Sequence, residues 1–361
     1  MTALRDHIRA LIAHGGPISL ERYMELALSH PEHGYYMSQA IFGAGGDFIT
    51  APEISQMFGE LVGLWAAEAW TVLGAPAPVR LVELGPGRGT LMLDALRAAR
   101  VSQQFYASLD IHMVETSPAL EARQRAALAN TGLPASWHRR LADVPDGPAI
   151  VIANELFDAL PVRHYMRAEN GWHERCVGLG PDGQLAFGLS PLAEPAISAP
   201  AAIGAILEIG AQAHQMMGAL AARLARQGGA ALVIDYGHAV TGLGETLQAM
   251  RQHRPVDPLA EPGLADLTAH VDFAGLARAA QAAGALVQGP VGQGIFLAEL
   301  GIFERAAALR QNATPEQAAT LGAALARLTQ GGAGMGQVFK VLAVRHPACP
   351  ALPGYSSLSG A

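Results

Sequence analysis

The chain is poor in cysteine, poor in charge, and has no excess of positive charge. Its two cysteines, Cys176 and Cys349, stand far apart. That spacing offers neither a disulfide framework nor a thiolate metal site, and it fits a reducing compartment. Charged residues make up 15% of 361 residues against 50% apolar ones, which excludes a disordered chain. The net charge of −7 at pH 7 argues against a global grip on nucleic-acid phosphate. No internal repeat is present, and the alanine-rich stretches keep a helical period. Residues 1–16 lack the continuous apolar core of a secretory signal; Leu4, Ile8, Leu11 and Ile12 fall at helical spacing instead. The longest uncharged run, 279–298, contains Pro290 and glycines 284, 289, 292 and 294, poor choices for a bilayer-crossing helix. A soluble protein with no membrane span is expected. The length suggests two domains, or one α/β domain with large additions.

Ser19 is placed to cap a helix whose inward stripe is Leu20, Met24, Ala27 and Leu28. A loop over 30–49 follows, rich in glycine and aromatics. Thr50 and Glu53 then read as a capping box with Pro52 in the first turn, and Ile54, Phe58, Leu61 and Trp65 continue that helix on one face. Beyond residue 78 the period changes. Short buried strands are expected over 79–84, 111–114, 149–153, 230–234, 246–250 and 338–344, with helices over 91–99, 212–227 and 273–283 among them. Such alternation indicates a parallel, doubly wound α/β sheet. The stretch 163–200 reads as an inserted hairpin or loop region.

The central motif is Leu81-Val-Glu83-Leu-Gly85-Pro86-Gly87-Arg-Gly89-Thr90, between a strand and a helix. Glycine lets the chain turn sharply and a ligand approach the backbone, while the helix start presents free N–H groups. A dinucleotide loop has the order G-x-G-x-x-G, but here the order is G-x-G-x-G. Glu83 beside the loop would repel a pyrophosphate yet accept hydrogen bonds from an amine. S-adenosylmethionine carries an ammonium, a carboxylate and a sulfonium, and no phosphate. Glu115, at the tip of the next strand, is then placed to accept from two ribose hydroxyls. The competing readings are a tight turn without ligand at the loop and a solvated strand end at Glu115.

The segments His30–Met37, Gly46–Gly59, Val82–Thr90, Ile152–Val162, Ala265–Phe273 and Met335–Lys340 together resemble the MidA family. This group of class I S-adenosylmethionine-dependent methyltransferases includes the mitochondrial complex I assembly factor with protein-arginine methyltransferase activity. The resemblance runs from about residue 7 to 345. It implies a Rossmann-like doubly wound sheet with an N-terminal helical extension and insertions. The expected divisions are a helical region over 1–75 covering the cofactor site, a methyltransferase domain over 76–346 with insertions near 163–210 and 251–272, and a tail over 347–361. It also implies methyl transfer to an arginine of a partner protein, such as a complex I subunit. No mitochondrial presequence is evident, so a bacterial, cytoplasmic member is expected.

Methyl transfer is an in-line displacement, so the protein's work is alignment and electrostatics. In this fold the acceptor lies at the carboxyl end of the fourth strand, here Asn154-Glu155-Leu-Phe-Asp158. Glu155 and Asp158 are expected to hold the guanidinium, or else to cap the following turn. Asn154 either contacts the cofactor or shapes the turn. Asp143 either contacts adenine or is a solvated acid. Asp47 and Thr50 belong to a loop placed to close over the cofactor, Thr50 having the alternative of an N-cap. Tyr35 and Tyr36 flank a cationic acceptor or belong to the core. His238, His270 and Asp272 form no ligand cluster by spacing, and most of these histidines are expected to be structural or surface residues. Two rival readings remain: a non-catalytic S-adenosylmethionine-binding assembly factor, and an NAD-dependent oxidoreductase, which the glycine order disfavours. Oligomeric state is not legible.

Overall fold

The structure, a computed structural model, describes residues 2–37, 50–332 and 334–356. The chain divides into two compact units. One comprises residues 1–48, 158–215 and 241–271; the other comprises 49–157, 216–240 and 272–361.

The second unit is built on β1 (Val79–Leu84), β2 (Leu109–Val114), β3 (Ala135–His138), β4 (Ala149–Asn154), β5 (Gly229–His238), β6 (Leu286–Gly292) and β7 (Phe339–Arg345). These strands lie in the order β6-β7-β5-β4-β1-β2-β3. Pairing is parallel from β5 through β4, β1 and β2 to β3. Every residue of β4 is buried, as a strand covered on both faces requires. The expected doubly wound sheet is therefore present, with one correction: β7 runs antiparallel to both β5 and β6. Apolar content alone does not distinguish strand directions, and one antiparallel strand near the edge is common in such sheets.

The order reverses between β1 and β4, and in open α/β sheets ligands bind at the carboxyl ends of strands at such a reversal. α1 (Gln56–Val72) packs against α2 (Thr90–Ala99), the helix that follows the glycine loop. Met57, Phe58, Leu61, Val62, Trp65 and Ala66 bury its inner stripe. Gly63 permits the close crossing: a Cβ there would lie 2.5 Å from the Ala95 carbonyl oxygen. The capping box at Thr50 does not form, because the Thr50 side chain makes no cap bond and the first helix stops at Ile54. Ser55, in extended backbone, starts α1 by accepting from the Met57 N–H at 3.2 Å. Ile54 is thus not on one helix with Phe58 and Trp65.

In the first unit Thr2 and Ser19 cap helices Ala3–Gly15 and Leu20–Ser29. Leu4, Ile8, Leu20, Met24, Ala27 and Leu28 share a core with Val177, Leu259 and Leu267. Residues expected as a hairpin or loop region form antiparallel strands Arg163–Ala168, Gly171–Leu179, Leu185–Ala193 and Ile206–Ile209. A short three-stranded sheet covers Gln248–Arg251, Arg254–Pro255 and Asp266–Thr268. Among the described residues no helix is long and apolar enough to cross a membrane. The uncharged run 279–298 is divided among a helix, β6 and a further helix.

Candidate active site

The glycine loop turns out of β1 with Gly85, Gly87 and Gly89 all at positive φ, between 53° and 81°. L-residues rarely adopt that region, so the three glycines follow from the backbone path. The Gly85 N–H donates to Val114 O at 3.0 Å, locking the loop onto β2. At Gly85 an added Cβ would sit 2.8 Å from the Leu156 side chain, whereas at Gly87 it would meet nothing within 4 Å. Gly87 is therefore where the loop opens. Pro86 O accepts from the Gly89 N–H at 2.8 Å and closes the turn.

Glu83 lies on β1 just before the loop and is 3% exposed. The Met92 N–H donates to its carboxyl, but Oε2 has no hydrogen-bond partner among the described residues. Burial, with Glu115 adding to it, pushes its pKa up to about 8 against the opposing pull of the Met92 N–H. A buried acid with an unpartnered oxygen beside an open glycine suits a cationic ligand group.

Glu115 extends β2. Its Oε1 accepts from the Ser117 N–H at 2.8 Å and its Oε2 from Gln124 Nε2 at 3.0 Å. Burial raises its pKa, opposed by those bonds and by Arg139. Gln124 Nε2 also donates to Gly87 O at 2.8 Å, and its Oε1 accepts from Trp137 Nε1 at 2.9 Å. One amide thus holds loop, acid and indole together. Sequence reasoning missed it, although a signal existed: Leu120, Gln124 and Leu128 form the buried stripe of helix Pro118–Leu128, and a glutamine there needs partners.

At the end of β4, Asn154 donates through Nδ2 to Glu155 Oε1 at 3.2 Å, while its buried Oδ1 has no partner among the described residues. Glu155 takes φ +50°, rare for a residue with a Cβ. Its N–H donates to Ile234 O at 2.9 Å, and its Oε1 accepts from the Ala51 N–H at 2.9 Å. Asp235, wholly buried at the matching end of β5, holds the turn after Glu155. Its Oδ2 accepts from the N–H groups of Leu156 at 3.1 Å and Phe157 at 2.9 Å. Nothing local in the sequence marks Asp235, because its partners, the N–H groups of Leu156 and Phe157, lie far away along the chain. Arg88 of the glycine loop meets Glu53 at 3.2 Å.

The structure thus gathers Glu83, Gly85, Pro86, Gly87, Gly89, Glu115, Asn154 and Glu155 along the carboxyl ends of β1, β2 and β4, with Thr50 one residue from the Ala51 contact. Asp143 sits on a separate turn, where Arg140 pairs with it at 2.9 Å and lowers its pKa. Asp158 belongs to the first unit and is buried there. In that unit Tyr36 donates to Asp266 at 2.8 Å; burial, then Asp266 and Asp158, raise its pKa well above the usual phenol value. Tyr35 lies in the core. His238 Nδ1 lies 2.9 Å from Val240 O, and Asp272 caps a helix through the Gly275 N–H at 3.0 Å. In the first unit, the His270 N–H donates to Thr246 Oγ1 at 2.8 Å. Asp47 lies outside the described residues.

Residues 61–291 match the family described as "Putative S-adenosyl-L-methionine-dependent methyltransferase". The protein arginine methyltransferase NDUFAF7 homolog of Drosophila melanogaster is 39% identical over 95% of this chain and 84% of its own length. Human protein arginine methyltransferase NDUFAF7 is 38% identical over 84% of this chain and 75% of its own. A crystal structure from Burkholderia thailandensis with bound S-adenosyl-homocysteine aligns with a TM-score of 0.85 at 31% identity. That alignment covers 98% of this chain and 94% of the other.

Proposed function

Because this chain belongs to the MidA family of class I S-adenosylmethionine-dependent methyltransferases, we propose that the residues gathered on β1, β2 and β4 hold that cofactor and that the methyl acceptor is an arginine of a partner protein, in the manner of a complex I subunit. The observation that carries the cofactor placement is Glu83, whose unpartnered Oε2 suits an ammonium group. Glu115, already fixed by Ser117 and Gln124, keeps lone pairs for ribose hydroxyls. Asn154 Oδ1 is a second buried acceptor in want of a donor. When bound, the cofactor supplies a methyl group activated by its sulfonium.

The acceptor reading rests on Glu155. Ala51, Asn154 and Ile234 hold this residue in an unfavourable backbone region, and the surroundings that over-determine such strain cluster at functional sites. A fixed carboxylate grips a guanidinium, turns one nitrogen toward the methyl source, and lowers the cost of releasing its proton. The names of the fly and human relatives support arginine as the acceptor.

The test adds radiolabelled cofactor to extract from cells without this chain and hydrolyses the labelled protein. Label in methylarginine is expected from the wild type. Glu155→Gln, which keeps an acceptor oxygen for Ala51, is expected to bind S-adenosylhomocysteine normally while losing about 100-fold in rate. Label in another residue or in small molecules overturns the arginine acceptor, and wild-type turnover in Glu155→Gln overturns its role.

A further inference from the structure

Lys340 is the single lysine in a chain with 23 arginines. It stands on β7 opposite Asp235 of β5 and Gly292 of β6. On the other side of β5, Ile234 is level with Asn154 and accepts the Glu155 N–H. Lys340 and Glu155 therefore share one edge of the sheet, two strands apart, which is about 10 Å at the usual strand spacing.

Lys340 lines a cavity of about 730 Å³ together with Ile295, Ala298, Phe303 and Gln337. Ile295 is 52% exposed and Phe303 50% exposed, so the apolar side of this cavity meets solvent. Two large apolar side chains on one concave wall mark a contact surface more strongly than scattered ones do. Lys340 Nζ donates to Gln337 O. Burial lowers its pKa. An ammonium carries three donors, so beyond its bond to Gln337 O it can also meet an incoming carboxylate.

We propose that this cavity is an acceptor subsite. Lys340 holds a carboxylate of the protein that presents the target arginine, and Ile295 and Phe303 take an apolar side chain next to that acid. This inference rests on the arginine reading above. An extended segment advances about 3.3 Å per residue, so the recognised Asp or Glu falls about three positions from the methylated arginine. Lys340 contributes to choosing the acceptor, whereas Glu83 and Glu115 concern the cofactor.

The experiment uses the full chain and the same extract in a dilution series, with methylated sites mapped by mass spectrometry. The wild type is read first: absence of methylarginine overturns the arginine reading and this subsite with it. With methylarginine present, Lys340→Met is expected to label about tenfold more slowly in dilute extract and to approach wild type in concentrated extract. Lys340→Arg should label nearly as wild type. Both should bind S-adenosylhomocysteine with wild-type affinity, which a merely structural defect would not allow. Ile295→Asp, at a half-exposed position, repels the same carboxylate and is expected to show the same concentration-dependent loss even if Lys340→Met folds poorly. Wild-type rates for Ile295→Asp and for a folded Lys340→Met at every dilution overturn the subsite. So do mapped arginines without an acid within about five positions.

Discussion

Glu83 places a carboxyl group out of solvent with the Met92 N–H as donor, and burial outweighs that bond. The folded group holds its proton up to about 8, whereas the unfolded carboxyl releases it near 4.5. Below the lower value both states are protonated and the group has no effect on stability. Between the two values only the unfolded chain loses the proton, so stability falls as pH rises, by about 1.4 kcal/mol per pH unit. Glu83→Gln should flatten that slope in urea melts followed from pH 5 to 8. Binding an ammonium reverses the preference, because the ionised form is then the one with a partner. Affinity for S-adenosylhomocysteine should rise toward pH 8 with release of a proton, measured by calorimetry in buffers of different ionisation heat. In Glu83→Gln that affinity should be about 10- to 100-fold weaker and insensitive to pH, in line with loss of a charge-assisted hydrogen bond. A pH-independent wild type would remove Glu83 from the binding site. The charge and place of Glu83 are legible from two adjacent features, a strand and a glycine turn. Its missing partner is not, because burial is set by residues distant in sequence.

Among elements, the contact of α1 with α2 turns on a single missing side chain. Gly63→Ala would place a methyl group 2.5 Å from the Ala95 carbonyl oxygen, forcing two buried helices apart. Overpacking of this kind is expected to cost about 1–3 kcal/mol, beyond the helix-propensity gain of alanine over glycine. Gly218→Ala is the counterpart. It lies inside helix Ala211–Gln227 with nothing within 4 Å of an added Cβ, so it should stabilise by up to about 1 kcal/mol. Urea midpoints of the two variants should move in opposite directions; a shift of the same sign would deny the tight crossing. Helices with a clear apolar period were readable, as Leu20–Ser29 and Phe273–Ala282 show. The break at Ser55 was not, because serine competes for backbone N–H groups in a way no hydrophobic period records. The hairpins after residue 163 were blurred because Leu185–Ala193 has no buried residue and shows no strict alternation, although Pro181-Asp182-Gly183 is a turn signal.

For the molecule as a whole, the doubly wound class was legible from alternation of apolar strands with helices, but strand order and the direction of β7 were not, since both depend on partners far along the chain. The same holds for Tyr23, whose hydroxyl donates to Pro258 O more than two hundred residues away. The order bears on the proposed cofactor site, because the reversal between β1 and β4 falls beside Glu83 and Gly87. A ligand that binds only the folded form stabilises it by mass action, about 2.7 kcal/mol at 100 times its Kd. For a unit the size of the second one this corresponds to a rise in Tm of roughly 5–10 °C. S-adenosylhomocysteine should produce that rise, and NAD should not, because the glycine order G-x-G-x-G departs from the dinucleotide order G-x-G-x-x-G. Glu83→Gln should need a higher concentration of S-adenosylhomocysteine for the same shift. A rise with NAD and none with S-adenosylhomocysteine would mean that the reversal is not the cofactor site, whatever its position in the sheet.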